Sequence, residues 1–149
     1  MLATILANFY ERDLHKFIYE LSLFKSEENL WKTKGSVKNS CGNLALHIIG
    51  GTNYLIGNVL ANTGYVRDRD QEFMQKDVPR NEVMAGLEAL VPLINQTLSP
   101  YNQNQLEAEY PIIFDGMKRS KVYVLTQLLS HLNYHLGQVN YLRRVLEDD

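Results

Sequence analysis

Residues 120–146 read SKVYVLTQLLSHLNYHLGQVNYLRRVL, and the fold follows from their spacing. Leu125, Leu128, Leu132, His135, Val139, Leu142 and Leu146 step by three and four down one stripe, the period of an amphipathic helix. Ser120 stands where such a helix needs a cap. A stripe of this length must be buried against other elements, and three earlier segments carry the same period. The first spans about residues 2–24, with Leu2, Ile5, Leu6, Phe9, Leu14, Phe17, Leu21 and Phe24 on its inner face. The second is capped by Asn39 or Ser40 and runs to about Asn62, ending at Gly64. Leu44, Ile48, Gly51, Leu55 and Val59 form its inner stripe, with His47 beside them. The third starts near Asn81 and ends before Pro100. It turns Val83, Met84, Leu87, Leu90, Val91, Ile94 and Leu98 inward, and Pro92 predicts either a kink near residues 88–91 or two shorter helices. Four such helices without an alternating strand pattern predict an all-α four-helix bundle, a single domain over residues 1–149.

The connections carry most of the charge and the turn residues. In KSEENLWKTKGSVKN (25–39) the large apolar residues are Leu30 and Trp31, and Trp31 is read as the anchor of that loop. Two long loops follow the second and third helices: GYVRDRDQEFMQKDVPR (64–80), which shows no helical face, and SPYNQNQLEAEYPIIFDGMKR (99–119). With 15 basic and 17 acidic residues interspersed, the chain shows no basic footprint for nucleic acid or an anionic membrane. Its single cysteine, Cys41, excludes an internal disulfide. No apolar run is read as long enough to span a bilayer, and the start MLATILANFYERDLHKF lacks a basic segment and a cleavage site, so a cytoplasmic location is expected.

Chemistry is sought at the histidines. His131 and His135 are four residues apart and share a helix face among leucines. A buried imidazole needs partners for its nitrogens, and a metal ion is one. Such a pair alone is more often structural than a ligand set, but His47 adds a third candidate on another inner face. Three neutral imidazoles suit Zn, Ni, Cu or Fe and leave positions open. Leu132 occupies the place that the glutamate takes in the zinc-protease motif H-E-x-x-H, so no base is built into the pair. His15 falls on the polar side of the first helix and is expected in solvent.

Together NSCGNLALHIIGG (39–51), GYVRDRDQEF (64–73) and HLNYHLGQVNYLRR (131–144) resemble the DinB-like superfamily of damage-inducible bacterial proteins, over most of the chain from ENLWK to Arg144. The resemblance implies a four-helix bundle, often a homodimer, holding a divalent metal, nickel or zinc, through His47, His131 and His135. It also implies a thiol-dependent enzyme as one function, transferring a low-molecular-weight thiol such as bacillithiol to an electrophilic small molecule. The alternative is a non-catalytic dimeric binding or stress-response protein with a structural metal.

Residues near this site carry further expectations. Gln138, three residues after His135, is placed to orient an imidazole or a metal-bound water. Gly50 and Gly51 each cost a helix about 1 kcal/mol relative to alanine, and Gly51, one turn after His47, leaves room for a ligand or a close helix. Tyr54, Tyr134 and Tyr141 are expected to bring hydroxyls towards the pocket. Arg67 and Arg69 are candidates for an anionic substrate but alternate with Asp68 and Asp70, which offer them partners. Arg143 and Arg144 suit the carboxyl end of a helix. Cys41 would carry a lowered pKa if exposed at its helix terminus.

Overall fold

A computed structural model describes residues 1–148. Among them the chain is all-helical, with two isolated antiparallel bridges, Glu109 to Ser120 and Phe114 to Met117, in place of any strand. Six helices follow in order: α1 (Leu2–Ser22), α2 (Cys41–Ala61), α3 (Arg69–Met74), α4 (Arg80–Leu98), α5 (Gln103–Glu107) and α6 (Lys121–Glu147). A 3₁₀ turn, Glu27–Trp31, lies between α1 and α2. The four long helices pack so that α1 and α2 each contact both α4 and α6.

Side-chain capping starts the two helices that carry His47, His131 and His135. The Ser40 hydroxyl accepts from the Asn43 amide at 3.1 Å, and Ser120 accepts from Tyr123 at 3.2 Å. Helix α4 runs unbroken from Arg80 to Leu98 through Pro92, so the option of two shorter helices is not taken. Its inward face is Val83, Leu87, Leu90, Ile94 and Leu98, each at most 1 % exposed. Leu125, Leu132, Val139 and Leu142 of α6 are buried as their spacing predicts.

Helix α1 departs from expectation in which stripe it buries. Leu2, Ile5 and Phe9 are exposed, whereas Ala3, Leu6, Ala7, Tyr10, Leu14, Phe17 and Leu21 face the core. Its apolar arc is wider than the surface that α4 and α6 cover, and the stripe with small residues at Ala3 and Ala7 allows closer approach. The buried face also contains a charge. Asp13 is fully buried, accepting from Arg12 Nε at 2.8 Å and from Asn133 Nδ2 at 2.5 Å on α6. At the other end of the same pair, the Glu20 carboxylate accepts from Asn140 at 2.6 Å and from Arg143 at 2.8 Å. Arg143 therefore ties α6 to α1 rather than merely complementing a helix end.

Helix α2 contains a π segment, Asn53–Asn58, between α-helical turns, and Asn62 ends it in the left-handed conformation at φ 53°. The cap thus falls two residues before Gly64, which also has positive φ. Contrary to expectation, residues Cys41–Ala61 are long and apolar enough, by length and composition, to cross a membrane. Inside the protein this helix packs against α3, α4 and α6, and it buries the polar Asn43 and His47 with hydrogen-bond partners. Trp31, half-buried, lies directly over Gly42 of α2, whose absent side chain leaves space for the indole; the loop is anchored there as expected.

The loop after α2 also differs from its reading. It contains α3, opened by an Asp68 side chain that accepts from the Gln71 amide at 3.2 Å. A helix of six residues with one buried side chain, Glu72, has no apolar period to betray it.

Candidate metal centre

Helices α2 and α6 bring three imidazoles to one point. His47 Nε2 lies 3.2 Å from His131 Nε2, and His135 Nε2 lies 2.9 Å from the same atom. One nitrogen from each ring lies within 4.8 Å of the other two. Metal–nitrogen bonds of about 2.0–2.1 Å would set two ligand nitrogens about 2.9 Å apart at a right angle and about 3.4 Å apart at the tetrahedral angle. Both separations from His131 fall in that interval, so the three histidines form a group that could hold a divalent cation.

The outer nitrogens explain why the inner ones converge. His47 Nδ1 stands 3.0 Å from Glu72 Oε1, and a carboxylate only accepts, so Nδ1 carries the proton and Nε2 keeps its lone pair. Arg67 Nη2, a donor, is further from the same nitrogen at 3.5 Å and does not reverse this assignment. His135 Nδ1 donates to Gln138 Oε1 at 2.7 Å, which likewise directs its Nε2 inward. Partners of this kind commonly hold metal-binding histidines in one tautomer.

Glu72 is itself held from three sides. It is 6 % exposed, and Arg67 meets it with two parallel bonds, Nε to Oε2 and Nη2 to Oε1, each 2.9 Å long. The glycine pair supplies the space. A methyl group at Gly50 would stand 2.0 Å from Glu72 Oε2, and one at Gly51 would stand 3.3 Å from Arg67 Nη2. Gly51 thus admits a side chain of the protein's own loop rather than a neighbouring helix. Asn43, one turn before His47, positions α3 through its backbone. Its amide group donates to the carbonyls of Glu72 at 2.9 Å and Gln75 at 2.8 Å, while its oxygen accepts from Ser40 and Lys76.

Burial lowers the pKa of all three histidines, and at His131, where neighbouring imidazoles and arginines add to it, the value falls to about 4. All three are neutral ligands near pH 7. A cleft of about 220 Å³ opens beside His47 and His131, walled by Ile48, Leu55, Leu128 and Leu132, with Arg67, Arg69 and Phe114 at its edge.

The remaining expected residues separate into near and distant. Tyr134 touches His135 edge-on with ring centroids 5.4 Å apart, although it is 65 % exposed. Tyr54 is half-buried and does not line the cleft. Tyr141 is exposed in a separate groove bounded by residues 34–39 and the end of α6. Cys41 is fully buried with Sγ 3.7 Å from the Val139 carbonyl, and burial pushes its thiol up to about 12, so the reactive, terminus-activated thiol is not formed. His15 is exposed as expected, 3.4 Å from Glu88. Sequence reading missed Glu72 and Asn43; the adjacent glycines on a helix were the visible sign that something large had to approach it.

An all-helical protein with three inward-facing imidazoles from two helices defines a class of candidate metal-binding helical proteins. The chain belongs to the family described as a protein of unknown function, DUF1572, whose model matches residues 11–149. Comparison with curated proteins gives no match.

Two outcomes follow from this geometry. Gly50→Ala should destabilise the protein by about 1–3 kcal/mol in urea unfolding, because its methyl group must displace the buried carboxylate, and Gly51→Ala should cost less. Equal effects would mean that Glu72 is not held against Gly50. Secondly, the folded metal-free protein binds fewer protons than the unfolded chain below the ordinary histidine pKa of about 6.5. Its stability should therefore fall as pH is lowered from about 6.5 to about 4, and His131→Gln should flatten that part of a melting-temperature profile.

Proposed function

We propose that the protein is a DinB-like four-helix-bundle metalloprotein in which His47, His131 and His135 hold a divalent ion, nickel or zinc, for chemistry on a thiol. The observation that carries this reading is the convergence of the three Nε2 atoms, two of them aimed by Glu72 and Gln138 from outside. A bound ion supplies Lewis acidity, lowering the pKa of a thiol or water placed beside it.

The chain's own residues prepare the surroundings for that step. Arg67 fixes Glu72, Glu72 fixes His47, and Gln138 fixes His135. Ile48, Leu55, Leu128 and Leu132 give the adjoining cleft apolar lining beside the imidazoles. No aspartate, glutamate, lysine or cysteine lines the cleft among the described residues. Glu72 is no substitute base, since both oxygens are engaged by Arg67 and one also by His47. Activation of a nucleophile by the ion is the chemistry consistent with this wall, and a thiol, more acidic than water, needs the smaller shift.

Untagged protein should take up one Zn or Ni per chain by elemental analysis and melt at a higher temperature when loaded. His135→Ala should abolish this, and Glu72→Gln should weaken metal affinity by about 10–100-fold. With a bacterial low-molecular-weight thiol and an electrophile, loaded protein should consume thiol faster than His135→Ala. Equal rates would sink the enzyme reading, while unfolding on chelation would favour a structural ion.

A further inference from the structure

Arg67 and Arg69 both reach the cleft beside His131, but their charges are disposed differently. Arg67 is matched by Glu72 through two hydrogen bonds. Arg69 is not matched in this way. Its sequence neighbours Asp68 and Asp70 are the obvious partners, yet Asp68 caps α3 at the Gln71 amide, and among the described residues no carboxylate lies within ion-pair distance of Arg69. Instead the guanidinium lies over the Phe73 ring, 5.6 Å from its centroid, and Phe73 in turn packs on His47 with ring centroids 4.8 Å apart. A cation resting on an aromatic face keeps its N–H edge free for an acceptor.

Leu55, Leu128 and Leu132 contribute apolar lining to the same cleft. The cleft, of about 220 Å³ and open to solvent, has room for a small molecule. We infer that Arg69 anchors an anionic group, a carboxylate or a phosphate, of the small molecule that enters this cleft, with the rest of that molecule lying along the leucines towards His131. The inference rests on the cleft being the substrate site of the proposed function, but the anion contact itself does not require the ion. Guanidinium recognises carboxylate and phosphate by the same paired donors, so the two sources must be separated by experiment.

Calorimetric titrations at low ionic strength would use succinate, its uncharged analogue succinamide, and inorganic phosphate, each against metal-free and zinc-loaded protein. Metal-free protein should bind succinate or phosphate at least about tenfold more tightly than succinamide, the scale of a charge-assisted hydrogen bond. Arg69→Ala should erase that preference and Arg69→Lys should retain part of it, with zinc content equal to wild type in both. Whichever of the two anions shows the Arg69-dependent gain identifies the group recognised. Absence of any preference over succinamide, or a preference that survives in Arg69→Ala, would overturn the inference. Failure of the metal reading would appear separately, as failure to take up zinc, and the metal-free arm would still decide the role of Arg69.

Discussion

The buried carboxylate of Glu72 is the constraint around which the site is organised. An ionised carboxylate at 6 % exposure is tolerable only if its oxygens are fully satisfied. Arg67 and His47 meet that demand, and both depend on the two glycines of α2 to let the pair approach the helix. The arrangement couples parts of the chain that look independent. The composition of α2, the conformation of the 64–80 loop and the tautomer of His47 must agree with one another. Two helix-weakening glycines in succession, costing about 2 kcal/mol together, stand where Glu72 and Arg67 need the space.

The same coupling explains what could be read in the sequence and what could not. The long helices were legible because each buries a continuous stripe, and a stripe has a period. His131, His135 and Gln138 were legible for the same reason, since a helix sets neighbours three and four apart on one face. His47 required the further expectation that α2 and α6 are adjacent, which their contacts satisfy. Glu72 had no period to announce it: it is the one buried residue of a six-residue helix inside a stretch of alternating charges. Alternation suggested that Arg67 and Arg69 pair with Asp68 and Asp70, whereas Arg67 reaches five residues along the chain to Glu72.

Two of the misplaced residues, Tyr54 and Cys41, lie on α2. A π turn inserts an extra residue into the helical register, so a face extrapolated from His47 at an unbroken α-helical period goes astray beyond Thr52. Tyr54, which follows that point, does not line the cleft, whereas Leu55 does; Ile56 and Gly57 are the residues that become buried. The turn is supported from outside by Tyr110, whose hydroxyl donates to the Leu55 carbonyl at 2.7 Å. At the other end of α2, Cys41 was read from its place at a helix terminus, but that terminus is packed against α6 at Val139. Position within a helix predicts reactivity only where the helix end meets solvent.

A cluster of three imidazoles can relieve its converging lone pairs with a proton or with a metal ion, and the two are not equivalent here. In the metal-free cluster His131 can carry its own proton on Nε2 and donate it to one neighbour, which leaves the inward lone pair of the other without a donor. Burial, the neighbouring imidazoles and the nearby Arg67 and Arg69 oppose an additional proton, holding His131 down to about 4. The arginines would oppose a divalent ion too, but the Glu72 carboxylate behind His47 would offset part of that repulsion, and an ion held by the cluster could meet all three rings at once. The outer partners add to the difference. Glu72 and Gln138 occupy the Nδ1 positions of His47 and His135, so neither ring can rotate its lone pair away without breaking a hydrogen bond of 3.0 or 2.7 Å. Preorganisation of this kind would favour an occupant that satisfies every inward nitrogen.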